Sequence, residues 1–416
     1  MIHKILHTSD WHIGRRLKEH YRDEEFRKFF GWLEKLILSE NIDTLLVSGD
    51  IFDNTTPTVT AQKIYYSFLS RLAETPCRHT VIISGNHDSP AFLDAPADLL
   101  GLNDIHVIGQ ACENPADEVL ALKDSDGNTE LLVCAVPFLR DKDVRTAKSD
   151  DTFEEIERSL KAGIAGHYSE VFDHTKKLQG DSNIPVVATG HMFLDKGRVQ
   201  KDEGERSLYV GTAVALSSGI FPEWLAYTAL GHLHSPQSIS RENIRYSGSP
   251  IAMTFAEAES SKSVSIVEVD GKAFAGVREI AVPVFQKLKH IEGTLREIED
   301  KIRSFGLMNE SIWLDISYTG SEPAADLQER VHDFAKDFRK LEILAVHDEN
   351  TASKTDTTNP DGITLDDISP LKMFERLLDT KGVADDDKTV FTRMYTETLR
   401  QAEEILRDEE MKEAAI

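Results

Sequence analysis

Five short pieces of this chain carry hard or borderline metal ligands: Asp10-Trp11-His12, Gly49-Asp50, Gly85-Asn86-His87-Asp88, Gly190-His191 and Gly231-His232-Leu233-His234. Most of them follow a short β-branched or leucine-rich run, so strand-to-loop junctions would deliver them to one place. Side chains alternate along extended backbone, so Asp10 and His12 fall on one side and share a metal, as do His232 and His234. Gly49 lets the chain turn tightly before Asp50, and a carboxylate at such a strand end is placed to bridge two cations. Asn86 adds a carbonyl oxygen without adding charge. The expected metal ligands are therefore the seven residues Asp10, His12, Asp50, Asn86, His191, His232 and His234. A mixed oxygen and nitrogen shell suits manganese, iron or zinc better than calcium or magnesium. Two such ions about 3.5–4 Å apart hold a phosphate and lower the pKa of a bound water to about 7, so phosphoester hydrolysis needs no side-chain nucleophile. The catalytic candidates beside them are His87, placed to stabilise the transition state or protonate the leaving oxygen, and Asp88, placed to orient it. One Asp-x-His pair, or one Gly-Asn-His-Asp turn, is more often a turn or a cap. The complete set in this order, each piece at a strand end, is not a chance pattern.

Elements that could hold these residues are visible around them. Runs at 3–8, 44–48, 80–84, 131–136, 186–189 and 227–230 read as strands. Helical spacing connects Phe26, Phe29, Phe30, Leu33, Leu36 and Ile37, and again Ile64, Tyr65, Phe68, Leu69 and Leu72. Strands alternating with helices imply an α/β domain with a buried sheet. Later runs at 243–247 and 264–269 lack intervening helices, so the sheet is mixed, or two sheets pack together. A second unit begins near Pro283, with strands at 284–290, 312–318 and 341–346 and helices at 295–305 and 325–338. Residues 350–362 have linker composition. Two amphipathic helices follow, one using Leu371, Phe374, Leu377 and Leu378, the other Val390, Phe391, Met394, Tyr395, Leu399, Ala402, Ile405 and Leu406. The expected division is 1–280, 281–349, 350–362 and 363–416.

At 416 residues the chain is long enough for two or three domains. No stretch approaches the about 18 consecutive apolar residues of a membrane span, and ligand candidates beginning at Asp10 argue against a cleaved signal peptide. Cys77, Cys112 and Cys134 lack metal-ligand spacing, which points to a reduced, cytoplasmic compartment. A net charge of -25 argues against a general nucleic-acid binder. Two facts weaken that argument. From Asp348 onward there are eighteen Asp and Glu against nine Lys and Arg, and other carboxylates would face divalent cations, which reverse the local field. Arg15, Arg16, Lys18, His20 and Arg22 form a basic loop that either guides a DNA backbone or is simply solvated; Arg15 and Arg16 are the DNA-binding candidates. The same alternatives hold for Arg140, Lys142 and Arg145. The stripe through Ile64 and Leu72 serves either a dimer face or core packing.

The five pieces resemble the signature of the calcineurin-like metallophosphoesterases. The flanks are more specific: Thr8-Ser9-Asp10-Trp11-His12-Ile13-Gly14, Gly49-Asp50-Ile51-Phe52-Asp53, Tyr209-Val210-Gly211-Thr212, Ala229-Leu230-Gly231-His232-Leu233-His234 and Ile244-Arg245-Tyr246-Ser247-Gly248-Ser249-Pro250 resemble the SbcD family of bacterial nuclease subunits over the whole chain. The resemblance implies a calcineurin-like metallophosphoesterase sandwich of mixed β-sheets flanked by helices. It also implies a small two-layer α/β capping domain and a C-terminal helical partner-binding segment. One ion would take Asp10, His12, Asp50 and His234, the other Asp50, Asn86, His191 and His232, with Mn2+ as the usual metal and His87 as the transition-state residue. The implied activities are single-strand endonuclease and ATP-dependent double-strand 3'-5' exonuclease on hairpins and blocked DNA ends, in DNA repair, recombination and replication. The implied partners are DNA and an SbcC-like SMC-type coiled-coil ATPase bound through the terminal helices, in a heterotetramer built on a homodimer at the nucleoid. Archaeal and eukaryotic relatives have a His three residues after the Asp of the second motif; Asp53 stands there in this chain, and its role is open. A phosphodiesterase or phosphatase acting on nucleotides or phosphoproteins is the rival enzyme, but a small substrate needs neither cap nor tail. A scaffold with a spent site is opposed by the intact ligand set.

Overall fold

The computed structural model describes residues 2–145, 152–198, 214–308, 310–320 and 326–348, with isolated positions between 374 and 396. Two six-stranded sheets face one another. The first runs in the order Ala273–Ala281, Ser263–Asp270, Ile2–Thr8, Thr44–Ser48, His79–Ile83, Ile105–Ile108. The second runs Gln237–Ile239, Arg241–Tyr246, Tyr227–Gly231, Val186–His191, Thr129–Cys134, Val119–Lys123. Within each, four neighbouring strands are parallel and the remaining pairings are antiparallel. Of the two arrangements open to the sequence, the packed pair is the one formed.

Period-two alternation divides the central strands between two cores. Ile5, Leu46 and Val81 point between the sheets, where they meet Leu131, Val133, Val187 and Ala229. Leu6, Leu45, Val47 and Ile82 point outward onto the helices Asp23–Glu40 and Val59–Leu72. On the other flank, Leu132, Val186, Ala188 and Leu230 pack under the helix Phe153–Gln179 through Leu160, Ile164, Tyr168 and Phe172. Ile64 and Leu72 are buried in this way, so that stripe serves the core.

Trp11 ties the first metal-ligand pair to this scaffold. It is fully buried, its Nε1 donates to Thr8 Oγ1 at 3.0 Å, and its ring meets Phe29, Phe30 and Phe68 edge-on at 6.5, 4.9 and 5.8 Å. Trp11→Ala is expected to destabilise the metal-free protein by about 3–5 kcal/mol, as deep aromatic truncations do. Urea unfolding would measure it, and a loss under about 1 kcal/mol would contradict this account.

A third sheet, all parallel, orders Lys287–Gly293, Ile312–Tyr318 and Leu341–Asp348, with the helices Leu295–Gly306 and Leu327–Ala335 on one face. Its first strand starts at Lys287 rather than at residue 284, because Lys287 is the first residue to pair (with Ile312) and Val284 lies exposed. The other face turns to the first domain: the Trp313 ring lies 5.5 Å from His20, and Glu342 is 3.2 Å from His20 Nδ1. The Tyr209 to Thr212 motif, the linker 350–362 and most of 363–416 lie outside the described residues. Of the terminal helices, Phe374 and Tyr395 stack at 4.0 Å and Leu378 is buried, while Phe391 is exposed. Among the described residues no helix is long and apolar enough to cross a membrane.

Candidate metal centre

All seven expected ligands sit beyond, or at, the carboxyl ends of parallel strands, where open α/β sheets place their ligands. Asp10 and His12 follow Ile2–Thr8, Asp50 follows Thr44–Ser48, and Asn86 follows His79–Ile83. His191 ends Val186–His191, while His232 and His234 follow Tyr227–Gly231. Four of them hold left-handed backbone without being glycine: Asp10 (φ 52°), His12 (φ 49°), Asp50 (φ 52°) and His232 (φ 99°). Such residues store on the order of 1–3 kcal/mol each and persist where the surroundings over-determine them. Here the clamp is backbone pairing: Asp10 N–H donates to Gly49 O at 3.0 Å and His12 N–H to Asp50 O at 2.9 Å. Two glycines permit the approach. A Cβ on Gly49 would overlap the His191 ring, and one on Gly231 would strike the Ser48 carbonyl oxygen.

The donors form two groups that share one oxygen. His12 Nε2 lies 3.2 Å from His234 Nε2, and Asp10 joins them, with one donor atom from each within 4.8 Å of the others. His191 Nε2 lies 3.0 Å from Asn86 Oδ1, and that oxygen is 3.1 Å from His232 Nδ1. Asp50 Oδ2 stands between the groups, 3.5 Å from His12 Nε2 and 3.3 Å from His191 Nε2. Two nitrogens 3.2 Å apart can both reach one ion at about 2.1 Å. The donor set therefore fits two divalent ions with Asp50 between them. Burial depresses the His191 imidazolium, but the Asp50 carboxylate outweighs it and holds that ring up to about 9; the same field favours a cation. Asp10, His12, Asp50, His191 and His234 are buried, whereas Asn86, His87 and His232 are half-buried and form the open side.

Behind the donors lies a layer whose role the sequence does not reveal. His191 Nδ1 donates to Ser48 O at 2.9 Å, which leaves Nε2 for a metal. His12 Nδ1 faces Asp53 Oδ1 at 3.5 Å, and the same oxygen takes Arg15 Nη1 at 3.0 Å. His234 Nδ1 faces Glu257 Oε1 at 3.5 Å, while Glu257 Oε2 takes Lys262 Nζ at 2.6 Å. Burial would raise both carboxyls. Instead, His12 and Arg15 hold Asp53 down to about 2, and His234 and Lys262 hold Glu257 well below the usual range. His12, Asp53 and His87 also bring donor atoms within 4.8 Å of one another, but the Asp53 carboxylate is engaged by Arg15 and His87 Nδ1 by a carbonyl.

That carbonyl corrects one expectation. Asp88 does not orient the His87 ring. Its carboxylate accepts from the backbone N–H groups of Gly85 (2.8 Å), Phe52 (2.9 Å) and Ile51 (3.0 Å), pinning the Asp50 loop to the Asn86 loop. Burial and the charge of Asp50 push it up to about 6. The His87 ring is set by its Nδ1, which donates to the Asp53 carbonyl oxygen at 2.9 Å. Its backbone N–H donates to Asp50 Oδ1, also at 2.9 Å.

The basic loop is more committed than its composition suggests. Arg22 is buried on Glu25 and the Ala252 carbonyl, Arg15 is paired with Asp53, and His20 meets the third sheet. Arg16 stacks on the Tyr21 ring at 4.0 Å and stays partly exposed. Arg140 Nη2 reaches the Asp88 carbonyl at 3.2 Å.

Comparison with known proteins identifies the family. The family model described as calcineurin-like phosphoesterase matches residues 3–255, and one described as type 5 capsule protein repressor C-terminal domain matches 284–381. The SbcD subunit of the SbcCD nuclease of Escherichia coli K12 is 31% identical over 95% of this chain and 98% of its own length. The same subunits of Rhodobacter capsulatus and Bacillus subtilis are 33% and 34% identical, over 67% and 64% of this chain and 69% and 66% of theirs. The chain belongs to the calcineurin-like phosphoesterases, a family of metal-dependent phosphodiester hydrolases, and within them to the SbcD family of nuclease subunits.

Proposed function

We propose that this chain is the two-metal nuclease subunit of an SbcCD-type complex, with Mn2+ as its metal. The proposed activities are single-strand endonuclease and, with an SMC-type ATPase partner, ATP-dependent double-strand 3'-5' exonuclease on hairpins and blocked ends. The observation that carries this reading is the pair of donor groups joined at Asp50 Oδ2, with His87 on the open side beside them.

Asp10, His12, Asp50 and His234 would hold one ion, and Asp50, Asn86, His191 and His232 the other. Bound there, the ions would supply Lewis acidity to the phosphoryl oxygens and an acidified water. Asp50 would serve both positions, and through the His87 N–H it holds the loop that carries the proposed acid. A carbonyl oxygen only accepts, so His87 Nδ1 keeps its hydrogen and Nε2 is the atom left to protonate the leaving oxygen. Asp88 is a positioning group for both loops. Arg15 and Arg16 are the proposed contacts to the DNA backbone, Arg15 while held by Asp53. The unit from 281 to 349 is the proposed cap; 363–416 is the proposed ATPase-binding segment, reached through a linker at 350–362.

The test is cleavage of single-stranded and hairpin DNA by the purified full chain in Mn2+, with and without its ATPase partner and ATP. Cleavage that disappears on chelation and returns with Mn2+ is expected. Bound metal with no DNA cleavage in either arm, or cyclic-nucleotide turnover far above DNA turnover, would overturn the nuclease reading.

A further inference from the structure

We propose that the two ion positions are unequal. The one at Asp10, His12 and His234 fills first and tightly because Asp53 and Glu257 back both of its imidazoles; the one at Asn86, His191 and His232 fills second. This rests on the two-metal reading above. The asymmetry lies one layer behind the donors. Two parallel relays of cation, carboxylate and imidazole converge on the first position: Arg15 to Asp53 to His12, and Lys262 to Glu257 to His234. In each, the cation pairs with the carboxylate, and the carboxylate faces the ring nitrogen that points away from the donor group. A carboxylate beside that nitrogen favours the tautomer with Nε2 unprotonated; at His234 the contact is a 3.5 Å hydrogen bond, and at His12 it is a 3.5 Å ionic approach without a hydrogen bond.

The second position has weaker backing. His191 leans on a neutral acceptor, the Ser48 carbonyl. His232 turns Nδ1 toward Asn86 and makes no ion pair among the described residues. Asn86 is a neutral donor, and Asn86 and His232 are half-buried while Asp10, His12 and His234 are buried. The second position is therefore the more open to solvent. Glu257 and Asp53 are positioning residues for the first ion, and activity should track the second binding step.

The full chain, stripped by chelator, is titrated with Mn2+ and free Mn2+ is followed by electron paramagnetic resonance. Two separated steps are expected. Glu257→Gln and Asp53→Asn should each weaken the tighter step by about 10–100-fold and leave the weaker one in place. Asn86→Ala should weaken only the second. A general loosening of the fold would shift both steps together, so selectivity distinguishes positioning from scaffolding. Should Glu257→Gln fail to fold, Asp53→Asn, at a more exposed carboxylate, decides alone. Equal steps in the unaltered chain, or carboxylate variants that leave the tight step alone or move both steps equally, would overturn the inference and leave the nuclease reading intact. Failure to bind two ions at all would overturn the two-metal reading itself.

Discussion

Asp50→Asn is expected to lose both ions under conditions where the unaltered chain holds two, and to lower Mn2+-dependent DNA cleavage by about 10³-fold or more. The magnitude follows from the several kcal/mol of transition-state charge stabilisation that bound metal supplies, each about 1.4 kcal/mol being tenfold in rate. Asp50 is singled out because one of its oxygens serves both donor groups, at 3.5 Å from His12 Nε2 and 3.3 Å from His191 Nε2. Every other candidate ligand belongs to one group. Asn is the informative replacement. It removes the charge and keeps the shape, and it tolerates the left-handed backbone that Asp50 holds at φ 52°. An Ala there would mix metal loss with backbone strain of about 1–2 kcal/mol. Elemental analysis after gel filtration measures the ions, and single-strand cleavage measures the rate. A variant that retains one ion and a tenth of the activity would show that the two positions do not depend on a shared carboxylate.

The candidate ligands were legible in the sequence as a set that would converge, because their signals are local. Each is a short polar motif at the end of an apolar run, and backbone alternation fixes the side on which Asp10 and His12 lie. The alternating strands and helices likewise pointed to the α/β sandwich. Four things were not legible, each for a physical reason. Glu257 meets His234 from 23 residues further along, a contact made by the fold rather than by any spacing. Asp53 was visible as a departure from the relatives' His, but its partners His12 and Arg15 are set by ring orientation. Asp88 spends its carboxylate on three backbone N–H groups, and backbone donors leave no mark in composition. The edge strand Ala273–Ala281 mixes exposed and half-buried residues without clean alternation, as an edge with little to cover does.

His87→Ala is expected to keep both ions and lose about 10²–10⁴-fold in cleavage rate, the range of general acid catalysis. Metal retention follows from geometry. The ring is not among the donors that meet at Asp50. It stands edge-on to His12 with centroids 4.9 Å apart, and its Nδ1 is spent on the Asp53 carbonyl. Truncation therefore removes no ligand, while the His87 backbone N–H stays on Asp50 Oδ1. The size of the loss should depend on the leaving group. A sugar oxygen leaves poorly unless protonated, whereas a nitrophenolate leaves without help. If His87 Nε2 delivers the proton, the deficit of His87→Ala should fall to under about tenfold on a nitrophenyl phosphodiester, because the variant then lacks only what that substrate no longer needs. An equal deficit on both substrates would make His87 an electrostatic partner of the phosphoryl oxygens instead of an acid. Undiminished DNA cleavage would remove it from the chemistry and leave the ions with the whole of the catalysis.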